Sequence, residues 1–278
     1  MNFFLGIGAQ KAGTTWLADF LTSHPEVAMS PMKELHFFDQ YYATEMCGNF
    51  EENFTKEVLL MESQSPRRSL SQQQQIRLQH LKLRLAMNGR HDQYRDYLLA
   101  LKNNTDRITG EITPSYSLLD EAGFEAVNTT LPGVKIIFML RDPVQRHWSQ
   151  LRHHQMLHPE YDALAESLPS LELPHFSLRT DYTRTFHALD AIFSDDQIHV
   201  VFYEDLFSES MNKFVVSRLC SFLGISEFPF DATRIINPSP RLTLPSANRE
   251  IIGKHFSHVY SAVRARFGAQ VPQGWSHF

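Results

Sequence analysis

The sequence has few cysteines and no long apolar run. Only two cysteines, Cys47 and Cys220, occur among 278 residues, and such sparse use is typical of proteins from reducing compartments. No apolar run approaches the roughly 18 residues that a membrane-spanning helix requires. The first residues, MNFFLGIGAQK, lack the basic start, the long apolar core and the cleavage site of a secretory signal. These absences predict a cytoplasmic protein without a membrane span.

An excess of positive charge and the common metal-binding motifs are also missing. The chain has 26 Lys and Arg against 31 Asp and Glu, which argues against nucleic acid or another polyanion as its main partner. Although 14 histidines are present, neither H-E-x-x-H nor C-x-x-C occurs. His154 and His158 could bind zinc from one predicted helix, but the sequence offers no evident third ligand. We therefore predict neither a metal nor a nucleic-acid partner.

Short apolar runs alternate with amphipathic segments along the chain. The predicted strands are residues 2–7, 27–29, 108–112, 134–140 and 198–203. One predicted helix begins at Thr14, one ends near Leu223, and three others cover residues 69–85, 144–156 and 248–267. A loop is expected over residues 229–247. This order predicts a three-layer α/β fold with a mainly parallel central sheet. No linker interrupts it, so residues 1–278 are expected to form a single domain with a helical insert at about 45–107.

A glycine-rich loop joins the first predicted strand to the first predicted helix. Residues 8–15 read GAQKAGTT and nearly match the phosphate-binding pattern G-x-x-x-x-G-K-[ST]. Backbone N–H groups of such a loop, and the positive end of the helix, point at an anion. However, Thr14 occupies the lysine position of the pattern, and Arg141 ends a strand where a magnesium-binding carboxylate is expected. These departures favour a phosphate-bearing donor that is used without a metal.

The loop resembles the 5′-phosphosulfate loop of sulfotransferases that use 3′-phosphoadenosine 5′-phosphosulfate (PAPS). That loop typically reads P-K-x-G-T-[ST]-W-L, and residues 10–17 of this chain read QKAGTTWL, with Gln10 in place of the usual proline. The resemblance implies a P-loop-like fold, PAPS as co-substrate and 3′-phosphoadenosine 5′-phosphate (PAP) as product. The donor-binding residues that it implies are Gln10, Lys11, Ala12, Gly13, Thr14, Thr15 and Trp16.

A second segment, RDPVQRHWS at residues 141–149, resembles the family's 3′-phosphate site. In that site an arginine at a strand end and a serine eight residues later bind the phosphate, which implies the same roles for Arg141 and Ser149. A guanidinium fork suits this task because it binds phosphate oxygens in pairs. The family's basic closing loop is only loosely echoed by the segment around Arg241, which is our remaining candidate for donor binding.

The segment KELHFFD, residues 33–39, resembles K-E-x-H-F-F-D of the heparan-sulfate-type branch, in which the glutamate is the catalytic base. Residues 110–116, GEITPSY, resemble the same branch. We predict that Glu34 is the base and Lys11 stabilises the charge that develops during transfer. His36 is the rival base, because the ordinary pKa of imidazole, near 6.5, is convenient for proton transfer. The alternatives are a surface charge for Glu34, a core histidine for His36, and a capping or orienting role for Asp39.

These residues predict an enzyme that transfers a sulfuryl group from PAPS to a hydroxyl or amine of a small-molecule, lipid, carrier-bound or saccharide acceptor. Because the chain is net negative, we expect a neutral or amphipathic small molecule, a lipid or a carrier-bound intermediate as acceptor rather than a polyanionic saccharide. The helical insert is the candidate cover for that acceptor. Two alternatives are a P-loop kinase or NTPase, which Thr14 and Arg141 oppose, and a nucleotide-binding protein without catalysis, which the joint presence of Lys11, Glu34 and His36 opposes.

Overall fold

The computed structural model describes residues 2–64, 69–230 and 242–275. Five parallel strands form one sheet in the order β2-β3-β1-β4-β5. Their bounds are β1 Phe3–Gly8, β2 Val27–Met29, β3 Ile108–Ile112, β4 Lys135–Leu140 and β5 Ile198–Phe202. The side chains of the three central strands are almost entirely buried, as their continuous apolar sequences predict for a parallel sheet covered on both faces.

Fourteen α-helices are found in the described residues. Their bounds are α1 Thr14–Ser23, α2 Phe38–Tyr42, α3 Thr44–Cys47, α4 Phe50–Gln64, α5 Gln72–Met87, α6 His91–Ala100, α7 Glu121–Thr130, α8 Pro143–Leu157, α9 Pro174–Ser177, α10 Tyr182–Ile192, α11 Tyr203–Leu206, α12 Asn212–Leu223, α13 Ser246–His255 and α14 Ser257–Phe267. The helices flank the parallel sheet, and the predicted α/β fold is confirmed.

Two predicted helices differ from the observed ones. The helix expected over 248–267 is divided at Phe256 into α13 and α14, because buried Phe256 leaves helical geometry there and packs beside His147. The segment after β5 likewise forms a short α11 and a separate α12. Of the loop expected over 229–247, residues 231–241 lie outside the described residues, and Ser246 already begins α13.

The insert between β2 and β3 forms helices α3 to α6. Helix α4 packs on α5, and α5 on α6, while Leu81, Tyr94 and Leu98 from the last two helices enter the main core. Asn88, with φ of 46°, and Gly89, with φ of 71°, allow the sharp turn between α5 and α6. The insert therefore shares the hydrophobic core of the sheet.

The carboxyl ends of the parallel strands lie at one edge of the sheet. At that edge β1 leads into the glycine loop, β3 into a 3₁₀ turn at Pro114–Leu118, and β4 into α8. Strands β1 and β4 are neighbours, since Phe4 pairs with Lys135 and Gly8 with Phe138. Open α/β sheets bind ligands at this edge. The fold thus brings the two phosphate-type motifs side by side.

Candidate active site

The loop between β1 and α1 is shaped for an anion. Gly13 has a φ of 94°, a left-handed conformation that strains any other residue. A Cβ atom at Gly13 would also lie 3.2 Å from the side chains of Met139 and Tyr203. The N–H of Ala9 donates to the carbonyl of Met139 over 2.7 Å, which ties the loop to β4. Since glycine cannot cap α1 with a side chain, the first turn of that helix can offer its N–H groups to a ligand.

Several cations surround this loop. Burial and, after it, the neighbouring charges of Arg141, Arg146, Arg152 and Lys33 together lower the pKa of Lys11 to about 8. Positive charges that repel one another at close range are stabilised when a multiply charged anion binds among them. The electrostatics of the loop therefore favour a ligand that carries several negative charges.

Arg141 lies at the end of β4, against the loop. Its Nη1 donates to the carbonyl of Lys11 over 3.0 Å, and its guanidinium stacks 4.3 Å from the centre of the Tyr203 ring. Its Nε is buried and has no hydrogen-bond partner among the described residues. A buried N–H without a partner is costly, so this donor is oriented for a ligand atom. Ser149, two turns along α8, lines the same cleft.

Arg146 is a site residue that the motif analysis missed. It is completely buried, and its Nε donates to Thr180 Oγ1 over 2.8 Å while Nη1 donates to the carbonyl of Gln10 over 3.4 Å. Burial lowers the pKa of Arg146 to about 9. Arg146 thus joins the loop between β1 and α1 (residues 8–15, called the phosphate loop below) to the turn that follows α9. No signal in the RDPVQR run distinguishes Arg146 from the other charged residues of this helix.

The segment 33–39 lies beside the loop in a strained conformation. Glu34 and His36 have φ values of 64° and 47°, which cost energy for residues with a side chain and occur preferentially at functional sites. The N–H of Glu34 donates to the carbonyl of Ile112 over 3.2 Å, and that of His36 to Thr113 Oγ1 over 3.4 Å. The end of β3 therefore holds the segment in place.

Lys33 connects this segment to the phosphate loop. Its Nζ donates to Thr15 Oγ1 over 3.0 Å and lies 3.8 Å from a carboxylate oxygen of Glu34. Thr15 belongs to the first turn of α1, where an anion would bind. The contact places the Glu34 carboxylate next to the loop between β1 and α1.

Glu34, His36 and Asp39 form a chain of acidic and basic groups. His36 Nε2 lies 3.3 Å from Glu34 Oε2, and its Nδ1 lies 2.7 Å from Asp39 Oδ2. Ser115 Oγ also donates to Asp39 Oδ2, over 2.5 Å. The ring of His36 is stacked on that of Phe50, 3.4 Å between centres. These contacts determine the orientation of the imidazole, as in the second layer of many catalytic sites.

The pKa shifts in this chain follow from the same contacts. Burial disfavours a charged His36, but hydrogen bonds to Asp39 and Glu34 outweigh it and raise the pKa of His36 to about 9. Burial alone would raise the pKa of Glu34, whereas the hydrogen bond and charge of His36, with the charge of Lys33, lower that pKa overall. At neutral pH the imidazole is therefore protonated and the carboxylate ionised. Only the carboxylate can then accept a proton.

Arg84, on α5 of the insert, supports the segment from behind. It is completely buried, and its Nε and Nη2 donate to the carbonyls of Leu35 and His36, each over 2.7 Å. Charged donors of this kind make strong hydrogen bonds. The insert therefore holds the backbone on both sides of the His36 peptide. The sequence did not predict this contact.

These elements enclose one cleft of about 990 Å³. Its phosphate-loop end contains Lys11, Arg141 and Ser149, and its Glu34 end contains Glu34, Met46, Phe176 and Arg179. The predicted site residues that line the cleft are Gln10, Lys11, Gly13, Thr14, Thr15, Trp16, Glu34, Arg141 and Ser149. Ala12 and His36 are buried, with His36 placed behind Glu34. Arg241 lies outside the described residues.

Within residues 2–64, 69–230 and 242–275, no group of three His, Cys, Asp or Glu side chains converges on a possible metal site. None of the helices in the same residues combines the length and the apolar character that crossing a membrane requires.

Comparison with known proteins connects this geometry to one family. Residues 4–229 match the family model described as "Sulfotransferase family". The membrane-associated sulfotransferase kil1 of Dictyostelium discoideum is 29% identical over 147 residues, which are 53% of this chain and 22% of that protein. This chain thus matches only about a fifth of that relative's length.

Solved structures show the same fold. A sulfotransferase from Alicyclobacillus acidocaldarius superposes with a TM-score of 0.61 at 21% identity, over 95% of this chain and 94% of the other. The sulfotransferase domain of the Synechococcus PCC 7002 olefin synthase gives a TM-score of 0.50 at 15% identity, over 92% and 94%.

Proposed function

The chain belongs to the sulfotransferase family, and on that premise we propose that it transfers a sulfuryl group from PAPS to a hydroxyl or amine of a small-molecule, lipid or carrier-bound acceptor. One observation carries the proposal. Lys33 bonds Thr15 over 3.0 Å and lies beside Glu34, so a phosphate-binding loop and an ionised carboxylate face the same cleft.

The residues around the loop fit a nucleotide donor that carries a phosphosulfate at its 5′ position and a phosphate at its 3′ position. Lys11, the hydroxyls of Thr14 and Thr15, and the first turn of α1 would hold the 5′-phosphosulfate. Arg141, whose buried Nε lacks a partner among the described residues, and Ser149 would hold the 3′-phosphate. Gly13 supports this fit, because a side chain there would meet the walls of the loop.

PAPS supplies a sulfuryl group bonded to a phosphate oxygen, and an in-line attack exchanges that bond for one to the acceptor. The new bond joins the acceptor oxygen or nitrogen to sulfur, the bond from sulfur to the bridging oxygen breaks, and PAP leaves with that bonding pair. The acceptor proton goes to the carboxylate of Glu34. Lys11 and the N–H groups of the loop stabilise the charge that develops on the transferred and leaving oxygens.

Glu34 is the base in this proposal, and His36 is a positioning residue. His36 is buried behind Glu34, and its raised pKa keeps the ring protonated, so it cannot take the first proton. Its contacts with Asp39 and Glu34 instead hold the carboxylate in one orientation. The strained backbone at both residues is consistent with a preorganised site.

Two residues favour PAPS over magnesium–ATP. Thr14 takes the place of the lysine that P-loop kinases use, and Arg141 ends the neighbouring strand where a carboxylate would bind magnesium. Both residues line the cleft. The P-loop kinase alternative would therefore need another lysine and another metal ligand.

Calorimetric titration with PAP, ATP and AMP in the absence of magnesium tests the proposed donor. We expect PAP to bind at least tenfold more tightly than AMP, because a charged hydrogen bond to the 3′-phosphate contributes about 1.5–3 kcal/mol. Equal affinities for PAP and AMP, or tighter binding of ATP once magnesium is added, would refute the PAPS assignment and favour the kinase alternative.

Two further proposals concern the domain organisation and the cellular location. We propose that residues 1–278 form a single domain, because the insert shares the core of the sheet. We also propose a cytoplasmic location, since Cys47 and Cys220 are unpaired and sparse, unpaired cysteines are typical of reducing compartments.

A further inference from the structure

Arg179 is a cation of the cleft to which neither motif gives a role. It belongs to the 3₁₀ turn Leu178–Thr180, directly after α9. Its Nη1 donates to the carbonyl of His175, but its Nε is buried without a hydrogen-bond partner among the described residues. Nor does Arg179 form an ion pair with any residue that the structure describes. A buried guanidinium N–H in this condition is oriented for a group that the chain itself does not supply.

The surroundings of Arg179 place it at the Glu34 end of the cleft. Burial lowers the pKa of Arg179, and the nearby groups that oppose this shift are Cys47, Asp39 and Glu34. Arg179 lines the same cleft as Glu34. Among the other cations of the cleft, Arg152 lies near Arg141 at the phosphate-loop end, and Lys33 contacts Thr15 and Glu34. Since Lys11 and Arg141 are proposed for the donor, we assign Arg179 to the acceptor.

The turn that carries Arg179 is connected to the phosphate loop by hydrogen bonds. Thr180, the next residue, is completely buried and accepts the 2.8 Å hydrogen bond from Arg146. Arg146 also bonds the carbonyl of Gln10 in the phosphate loop. A group bound by Arg179 would therefore be held at a constant distance from the donor loop, which is a condition for a productive acceptor.

Apolar side chains also line the cleft. Phe176, on α9, and Met46, on α3, belong to helices that pack on each other. At the end of α8, Met156 and Leu157 also line the cleft and are 51% and 60% exposed. A guanidinium with a buried, unpartnered N–H beside apolar groups matches a ligand with a single acidic group on an apolar body, whereas a polyanion would require a row of such cations.

We propose that Arg179 binds an acidic group, a carboxylate or a phosphate, of an otherwise apolar acceptor and so selects the acceptor. The inference rests on the proposed function, since it takes the Glu34 end of the cleft as the acceptor site. It narrows the neutral or amphipathic acceptor that the sequence predicts to an amphipathic one with a single acidic group. Arg179 is on this view a specificity-determining residue.

The test uses three probes of equal chain length: octanoate, octyl phosphate and octanamide. Each is titrated by calorimetry into the full-length protein, with and without saturating PAP. We expect octanoate, octyl phosphate or both to bind the PAP complex at least tenfold more tightly than octanamide, because charged hydrogen bonds are the stronger ones. The two anions distinguish a carboxylate-binding site from a phosphate-binding one.

Three variants assign the preference to one side chain. Arg179→Gln should abolish it, while Arg179→Lys, which retains the charge, should preserve a part of it. The matched control is Arg95→Gln, because Arg95 is on α6, outside the cleft lining, and its 43% exposed side chain pairs with Asp96 at 3.8 Å. Circular dichroism and thermal unfolding of each variant establish that it is folded.

The possible failures are distinguishable. If the wild type binds octanamide as tightly as both anions, or if Arg179→Gln retains the preference, the role of Arg179 in acceptor binding is refuted. If PAP does not bind but the anion preference is present and depends on Arg179, the proposed donor fails and the anion site stands.

Discussion

The two ends of the cleft are built in different ways. The phosphate-loop end comes from two continuous segments, residues 8–15 and 141–149, each of which is a strand end, a loop and the start of a helix on adjacent parallel strands. The Glu34 end is assembled from segments far apart in the chain. It combines Glu34 with Arg84 of the insert, Ser115 after β3 and Arg179 after α9.

This difference follows from what each end has to bind. Phosphate is recognised by backbone N–H groups and a few cations, and a short loop with a fixed backbone supplies these locally. An acceptor is recognised by its shape and its polar groups, which require side chains from several directions. Ligand binding at the phosphate-loop end should therefore tolerate substitutions in distant segments, whereas the function of the Glu34 end should be sensitive to them.

The largest effect is expected from Glu34→Gln, which removes the base at the Glu34 end. We expect kcat/KM for transfer to fall by about 10³-fold, within the usual range for loss of a general base, because a neutral amide cannot accept the proton. PAP affinity should stay within twofold, since the donor residues are unchanged. Calorimetry and a sulfuryl-transfer assay measure both. Glu45→Gln, at an exposed position of α3, is the control, and a variant with full turnover would exclude Glu34 as base.

A smaller effect, at the phosphate-loop end, is expected from Arg141→Ala. Loss of the guanidinium should weaken PAP binding by roughly 10- to 100-fold, the value of a charged hydrogen bond. AMP, which lacks the 3′-phosphate, should bind as before and serves as the internal control. Arg141→Lys should recover part of the affinity through its charge. If Arg141→Ala weakens AMP and PAP equally, the 3′-phosphate assignment is wrong and Arg141 acts through its bond to Lys11.

The smallest effect on turnover is expected from Arg84→Met, which separates the two ends most directly. The substitution leaves the buried carbonyls of Leu35 and His36 without their donor, at a cost of about 1–3 kcal/mol of stability. We expect a lower melting temperature and a roughly tenfold loss of turnover as Glu34 loses its fixed orientation, with PAP affinity unchanged. Lys82→Met, on the exposed side of the same helix, should change none of these. Weaker PAP binding in Arg84→Met would contradict the independence of the two ends.

Much of the fold could be predicted because its elements are local. The strand β4 is a continuous apolar run, and α8 begins with Pro143 directly after the Asp142 cap, both of which are sequence signals. The division of 248–267 at Phe256 could not be predicted, since it depends on the contact that Phe256 makes with His147. The periodicity of an amphipathic helix continues across such a break.

The candidate site divides in the same manner. Short motifs pointed to Lys11, Glu34, Arg141 and Ser149, and all of them line the cleft. Arg146 went unnoticed because nothing in a sequence marks which charged residue of a helix faces inward. Nor could the sequence predict that His36 would be protonated, as its raised pKa depends on Asp39 and Glu34 being held at hydrogen-bond distance.

The sequence by itself therefore determined the parallel sheet and the phosphate loop, because apolar runs, glycines and strand ends act over a few residues. Only the tertiary structure decided which side chains meet at the Glu34 end. Arg84 lies 48 residues from the His36 carbonyl that it bonds, and Arg146 lies 34 residues from Thr180. Contacts over such separations depend on the packing of the whole chain, so the motif contains the proposed base Glu34, whereas the residues that support it can be identified only in the fold.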